Sequence, residues 1–125
     1  MSNEIRLQLF PHTTAIATTH GRPHLTIAGC DLNRLADEFG TPLYLYDQAT
    51  MDAAVQAYRS ALATYYPAGG DITYAGKAFL CTAIAQWTQS HHLLLDCTGA
   101  GELHIARKAG VPRERILVHG VNKSP

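Results

Sequence analysis

Asp71-Ile72-Thr73-Tyr74-Ala75-Gly76-Lys77-Ala78-Phe79 is a short apolar run that ends on a glycine and a lysine just before a helical pattern begins. It predicts a strand over 72–75 and a helix from about Leu80 to Gln89. Lys77 then falls at the carboxyl end of a strand, where parallel α/β sheets and barrels carry their chemistry. A solvated lysine in a βα turn is the ordinary reading, since most lysines are exposed. The neighbours favour another. Thr73, Tyr74, Ala75, Ala78, Phe79 and Leu80 would set the ammonium close to apolar walls, and desolvation disfavours the charged form, making the amine a better nucleophile.

The same pattern repeats outward from this run. Leu43-Tyr44-Leu45-Tyr46 lacks polar alternation and fits a strand covered on both faces. Asp47 can cap the amphipathic stretch that follows it up to Tyr66, which Pro67-Ala68-Gly69-Gly70 stops. Further on come a strand at Leu93-Leu94-Leu95, a helix from about Ala100 to Ala109 closed by Gly110, and a strand at Ile116-Leu117-Val118. Four apolar strands separated by three helices give a βαβαβαβ order, hence an α/β fold with a parallel sheet. The polar Val121-Asn122-Lys123-Ser124-Pro125 follows the last strand without a covering helix. The expectation is the first part of an eight-stranded TIM-type (β/α)8 barrel, which takes about 250 residues.

The opening block differs in kind. Ile5-Leu7-Leu9, then Thr14-Ala15-Ile16-Ala17-Thr18-Thr19, then Leu25-Thr26-Ile27 alternate loosely and predict two or three short strands, with turns at Pro11-His12 and His20-Gly21-Arg22-Pro23. After Gly29, Asp31 can cap a short helix that places Leu32, Leu35, Ala36 and Phe39 on one face and ends at Gly40. The expected division is an N-terminal β segment over 1–29 and the barrel portion over 30–125.

Composition excludes several classes. With 125 residues, 46% hydrophobic and 16% charged residues and no formal net charge, the chain is an ordinary globular one. Neutral balance gives no electrostatic case for a nucleic acid or an anionic membrane as partner. The longest apolar runs are far below the roughly 18 residues that span a bilayer, and Met1-Ser2-Asn3-Glu4 is no signal peptide, so the cytoplasm is the expected compartment. Cys30, Cys81 and Cys97 show no CxxC spacing, and the seven histidines include no HExxH, so neither a disulfide framework nor a metal site is expected.

Two glycine motifs fail on inspection. Gly76-Lys77 would need a glycine at position 71 and a hydroxyl residue at 78 to form a P-loop; Asp71 and Ala78 stand there. Gly99-Ala100-Gly101 would need a third glycine at 104, which is His104. The second motif is a tight turn whose amides could still bind an anion. Asp96, Glu102 and His119 fall at or just after strand ends, on the same edge as Lys77. Asp96 is either a turn-capping residue or a partner of Lys77 one strand away. Glu102 suits the first helical turn, favoured by the helix dipole.

In order along the chain, these segments match a known family. Tyr74-Ala75-Gly76-Lys77-Ala78 resembles the Tyr-Ala-Val-Lys-Ala signature of the alanine-racemase-like, fold type III, pyridoxal-phosphate enzymes. Asp96-Cys97-Thr98-Gly99-Ala100-Gly101-Glu102-Leu103 is similar to their Asp-Val-Val-Ser-Gly-Gly-Glu-Leu segment. His119-Gly120-Val121-Asn122-Lys123-Ser124 resembles the His-Gly-Asn-Asn-Lys-Ser segment of the diaminopimelate decarboxylase branch, and Gly40 to Asp47 is similar to that branch too. The departures are Gly76 for the usual Val, Phe79 for a polar residue and Gly99 for Ser.

The resemblance implies a barrel holding pyridoxal 5'-phosphate through Lys77, beside a flanking β domain, and decarboxylation of meso-2,6-diaminopimelate to L-lysine by a homodimer. It carries Lys77 and Asp96 over as catalytic residues, and Lys77, Asp96, Ala75, His119 and Asn122 as cofactor-binding residues, with no metal. Asp96 would favour the protonated, more electrophilic form of the lysine-linked nitrogen. The family's phosphate-binding, ring-stacking and second-subunit residues lie beyond Pro125, so the chain alone is expected to be inactive. Other readings are an ornithine, arginine or carboxynorspermidine decarboxylase of the same fold, a non-catalytic pyridoxal-phosphate-binding protein, and a cofactor-free interaction fragment.

Overall fold

Thr14–Thr19 (β1) and Arg22–Ile27 (β2) pair antiparallel through a two-residue turn, His20-Gly21, in which both residues have positive φ. That is the turn whose twist suits a tight hairpin, and glycine takes its second position without strain. Ala28-Gly29, again with positive φ at both residues, repeats the device and adds Cys30–Asp31 (β3) on the far side of β2. Asp31 then caps the helix Leu32–Phe39 (α1): its carboxylate accepts from the Asn33 N–H at 2.8 Å, and Gly40, with φ 78°, ends the helix. In this computed structural model, residues 7–66 and 68–120 are described. The contacts divide the chain into two compact units, 1–57 and 58–125, and the helix Gln48–Tyr65 (α2) passes from one to the other.

Two expectations for the first unit need correction. Leu7 to Leu9 is not strand: the Phe10 N–H donates to the Leu7 carbonyl at 3.0 Å, so a local turn takes up the groups a ladder would need, and Ile5 lies outside the described residues. Leu43-Tyr44-Leu45-Tyr46 is not a strand, and all four residues are exposed. An apolar run becomes a strand only where a neighbouring strand takes up its backbone hydrogen bonds, and among the described residues neither sheet includes it. The parallel sheet accordingly has three described strands rather than four.

The second unit follows the β-α-β pattern. Thr73–Ala75 (β4), Leu94–Cys97 (β5) and Ile116–Val118 (β6) form a parallel sheet in that order, linked by the helices Thr82–Ser90 (α3) and Ala100–Lys108 (α4). β5 runs two residues further than its apolar run, because Leu95 and Cys97 alternate into the core while Asp96 points to the other face. Leu95 and Cys97 are fully buried against Ala85 of α3 and Ala106 of α4, with Val111 closing the cluster. Alanines at these two positions let the helices approach the sheet closely. Thr88 is also fully buried, and its hydroxyl donates to the Ala85 carbonyl at 2.7 Å, so no polar atom is stranded there.

Candidate active site

The register of the sheet sets the site. Ala75 of β4 lies opposite Asp96 of β5, and Asp96 opposite Leu117 of β6, so these three share one face at the carboxyl edge. Beyond Ala75 the chain enters a single 3-10 turn, Gly76–Ala78, which carries Lys77. The phenol of Tyr74 donates to the Phe79 carbonyl at 2.8 Å and closes this turn from outside. Beyond β6, the His119 N–H donates to the Cys97 carbonyl at 3.2 Å, folding the next loop over the end of β5. The His119 ring comes down on Asp96, with Nδ1 2.5 Å from Oδ1; the carboxylate is 16% exposed and the imidazole 58%.

Lys77, Asp96, Ala75 and His119 are thus gathered on one edge by three consecutive strand ends. Asn122 lies outside the described residues. The expectation that Lys77 is held against apolar walls is corrected: Lys77, Ala78 and Phe79 are all exposed. Of the neighbours, only Tyr74 and Leu80 turn to the core, where they pack on the Leu95–Cys97 cluster. Among the described residues the lysine makes no ion pair. Two cavities of this unit lie away from Lys77 and Asp96. One is lined by Arg59, Leu62, Tyr66, Asp71 and His92 at the opposite end of the strands, and the other by Leu103, Arg107, Arg113, Ile116 and Val118.

Sequence reading passed over Gly76 as a site residue. It is buried, and a Cβ built there would lie 2.6 Å from the backbone carbonyl oxygen of Asp96. The available signal was a glycine directly between strand and lysine, where a turn could instead have used any residue. By contrast Gly99 and Gly101 face open space, so no close approach requires them.

Electrostatics around the edge is dominated by a helix cap. The Glu102 carboxylate accepts from the Thr98 N–H at 2.5 Å and from the Thr98 hydroxyl at 3.0 Å. These bonds, the backbone N–H first, hold its carboxyl below the usual range. The Glu102 carboxylate thus reaches back from the first turn of α4 to the amide just before its N-cap, Gly99, a first-turn role that its position suggested. Burial pushes the Cys97 thiol up, aided by the negative charges of Glu102 and Asp96, so it remains a protonated packing residue. Among the described residues no group of three or more histidine, cysteine or acidic side chains could hold a metal ion, and no helix is long and apolar enough to cross a membrane.

Comparison with known proteins places the chain in a family. Residues 48–125 match the pyridoxal binding domain of the pyridoxal-dependent decarboxylases. Over 118 residues the chain is 41% identical to a diaminopimelate decarboxylase of Bacillus subtilis, covering 93% of this chain and 26% of that protein. It is 40% identical over 124 residues to one of Mycobacterium bovis, covering 98% and 26%. The crystal structure of a diaminopimelate decarboxylase from M. jannaschii in complex with L-lysine superposes with a TM-score of 0.70 at 30% identity, over 86% of this chain and 25% of that one. The chain thus spans about a quarter of the length of the relatives it matches. With the family match extending over more than half of its residues, this chain belongs to the pyridoxal-dependent decarboxylases, its residues 48–125 matching their pyridoxal binding domain.

Proposed function

We propose that this chain is part of a pyridoxal-phosphate-dependent decarboxylase that converts meso-diaminopimelate to L-lysine, with Lys77 and Asp96 catalytic and Ala75, His119 and Asn122 beside the cofactor. The observation that carries the reading is the shared edge: a primary amine, a carboxylate and an imidazole brought together from the ends of β4, β5 and β6. The relatives named diaminopimelate decarboxylase support the choice of substrate, and the lysine complex supports a small amino acid as ligand.

The residues present fit the cofactor. An exposed lysine without an ion-pair partner among the described residues can condense with an aldehyde, and a carboxylate one strand away would balance the positive charge on the resulting nitrogen. When bound, pyridoxal phosphate supplies the electron sink that accepts the pair released as carbon dioxide leaves the substrate. Lys77 would hold the cofactor, yield its place to the substrate amine and take it back after product leaves. Asp96, fixed by His119, would keep its charge aimed at the lysine-bearing edge. Ala75, small and on the same face as Asp96, leaves room above the strand.

We take the parallel sheet to begin a (β/α)8 barrel over 30–125, and the hairpin segment over 1–29 to belong to a flanking β domain. The β-α-β-α-β order with every strand parallel supports the first. The reading extends to a cytoplasmic homodimer. The test is lysine and carbon dioxide release from meso-diaminopimelate by the full-length protein, with ornithine and arginine as competitors. Turnover abolished by Lys77→Ala is expected; turnover of ornithine or arginine instead would overturn the substrate assignment.

A further inference from the structure

We propose that Tyr74 is a positioning residue for Lys77: its phenol, on a ring anchored in the core, braces the turn that carries the lysine and so presents the amine to the cofactor's aldehyde. The inference rests on the reading of Lys77 as the cofactor lysine.

The turn has weak means of keeping its own shape. Gly76–Ala78 is one 3-10 turn of three residues, a form whose internal hydrogen bonds are poorly aligned. Lys77, Ala78 and Phe79 are exposed, so burial does not hold them. Cover lies at the two ends of the segment, where Gly76 is buried and Leu80 packs on the Leu95–Cys97 cluster. Between those ends the Tyr74 phenol donates to the Phe79 carbonyl at 2.8 Å, bridging a separation of five residues with Lys77 inside the span.

The brace starts from a fixed point. Tyr74 lies opposite Leu95, a fully buried residue of β5, and its ring packs on the same cluster. The Trp87 ring of α3 meets it edge-on, with centroids 5.9 Å apart and planes at 77°. A ring held by a cluster and a helix has already given up its rotamer freedom, so its hydroxyl secures the turn at little further entropic cost. In the reaction the neutral Lys77 amine adds to the aldehyde carbon, a carbon–nitrogen double bond forms, and both amine protons leave with the oxygen as water. An amine on a closed turn meets that carbon in reactive geometry more often than one on an open turn. One neutral hydrogen bond shifts such an opening equilibrium by about 2- to 10-fold.

The experiment compares the full-length protein in wild-type, Tyr74→Phe and Ser90→Ala forms. Phenylalanine keeps the ring and its packing and removes the hydroxyl alone. Ser90→Ala removes a hydroxyl that donates to the Trp87 carbonyl at 2.8 Å at the far end of α3, a bond of the same kind away from the turn. Borohydride reduction of the cofactor-loaded wild type and peptide mass spectrometry come first. Failure to trap pyridoxal phosphate on Lys77 sinks the functional reading, and the role of Tyr74 with it. With Lys77 trapped, pyridoxal phosphate is added back to the cofactor-free protein and the rise of its visible absorbance is timed, beside amide hydrogen exchange resolved by peptide. Tyr74→Phe should slow the rise about 2- to 10-fold and speed exchange over 76–80 by a similar factor, with exchange in α4 unchanged. Ser90→Ala should leave both readings at the wild-type values. An unchanged rise in Tyr74→Phe overturns the proposal while the assignment of Lys77 stands. A Tyr74→Phe variant that fails to fold, or that exchanges faster throughout the unit, would make the phenol a general stabiliser and overturns it as well.

Discussion

Nδ1 of His119 lies 2.5 Å from Oδ1 of Asp96, tying the loop after β6 to a side chain of β5. The carboxylate is largely covered and the imidazole largely open, so the histidine acts as a brace on the aspartate from the solvent side. A hydrogen bond to a charged group of this kind contributes roughly 1.5–3 kcal/mol. His119→Ala is expected to lower kcat/KM about 10- to 100-fold through a freed Asp96 while the cofactor is still trapped on Lys77. Steady-state kinetics beside borohydride trapping checks both halves, and unchanged kinetics would remove His119 from the site.

The strand ends that form this edge were legible because each is an apolar run followed by a capping or turn residue. Thr73–Ala75 and Ile116–Val118 needed no tertiary information. The Asp96–His119 contact was legible only as a shared edge, since 23 residues separate the pair and only the register of three strands brings them together. The surroundings of Lys77 were misread for a related reason. Apolar neighbours in sequence do not wall a side chain when some of them, as Tyr74 and Leu80 here, pack into the core and others, as Ala78 and Phe79, stand exposed with it. Leu43 to Tyr46 has the composition of a buried strand, yet neither sheet of the described residues includes it, which no single segment can reveal.

Glu102 makes the entry to α4 sensitive to acid. Its carboxyl is held below the ordinary value of 4.5, mainly by the Thr98 N–H. A carboxylate whose folded value is depressed adds stability that is present above its unfolded value and is lost as pH falls through the folded one. Glu102→Ala should cost about 1 kcal/mol at pH 7, as loss of a helix cap does. The difference from wild type should shrink progressively below pH 4.5. Urea unfolding at pH 7 and pH 3.5 provides the comparison, and a pH-independent difference would contradict the capping role.

In the first unit a second carboxylate is tied down by hydroxyls. Asp47 Oδ2 accepts from Thr50 Oγ1 at 2.5 Å and from Thr13 Oγ1 at 2.7 Å, while Thr13 also accepts from the Ala28 N–H at 3.1 Å. The Thr50 bond and then the Thr13 bond keep the Asp47 carboxyl below its usual range. Thr50→Val should raise its titration midpoint more than Thr13→Val, and the double variant more than either. The carboxyl carbon resonance followed by NMR against pH reads this directly, and a reversed order would show that the two hydroxyls do not share the charge as the geometry says.

The two faces of β5 should respond very differently to truncation. Leu95 is fully buried between α3 and α4, and Leu94, one residue earlier on the opposite face, is only partly covered. Leu95→Ala removes three carbons from a close-packed cluster that includes Cys97, Ala85 and Ala106, whose neighbours on two helices and a strand cannot all collapse inward. The expected loss is about 3–5 kcal/mol. Leu94→Ala leaves no closed cavity and should cost less than half as much. Equilibrium urea denaturation of the two variants separates them. Equal losses would mean that the face carrying Asp96 is buried as deeply as the core face, and the open edge argued for Lys77 and Asp96 could not exist.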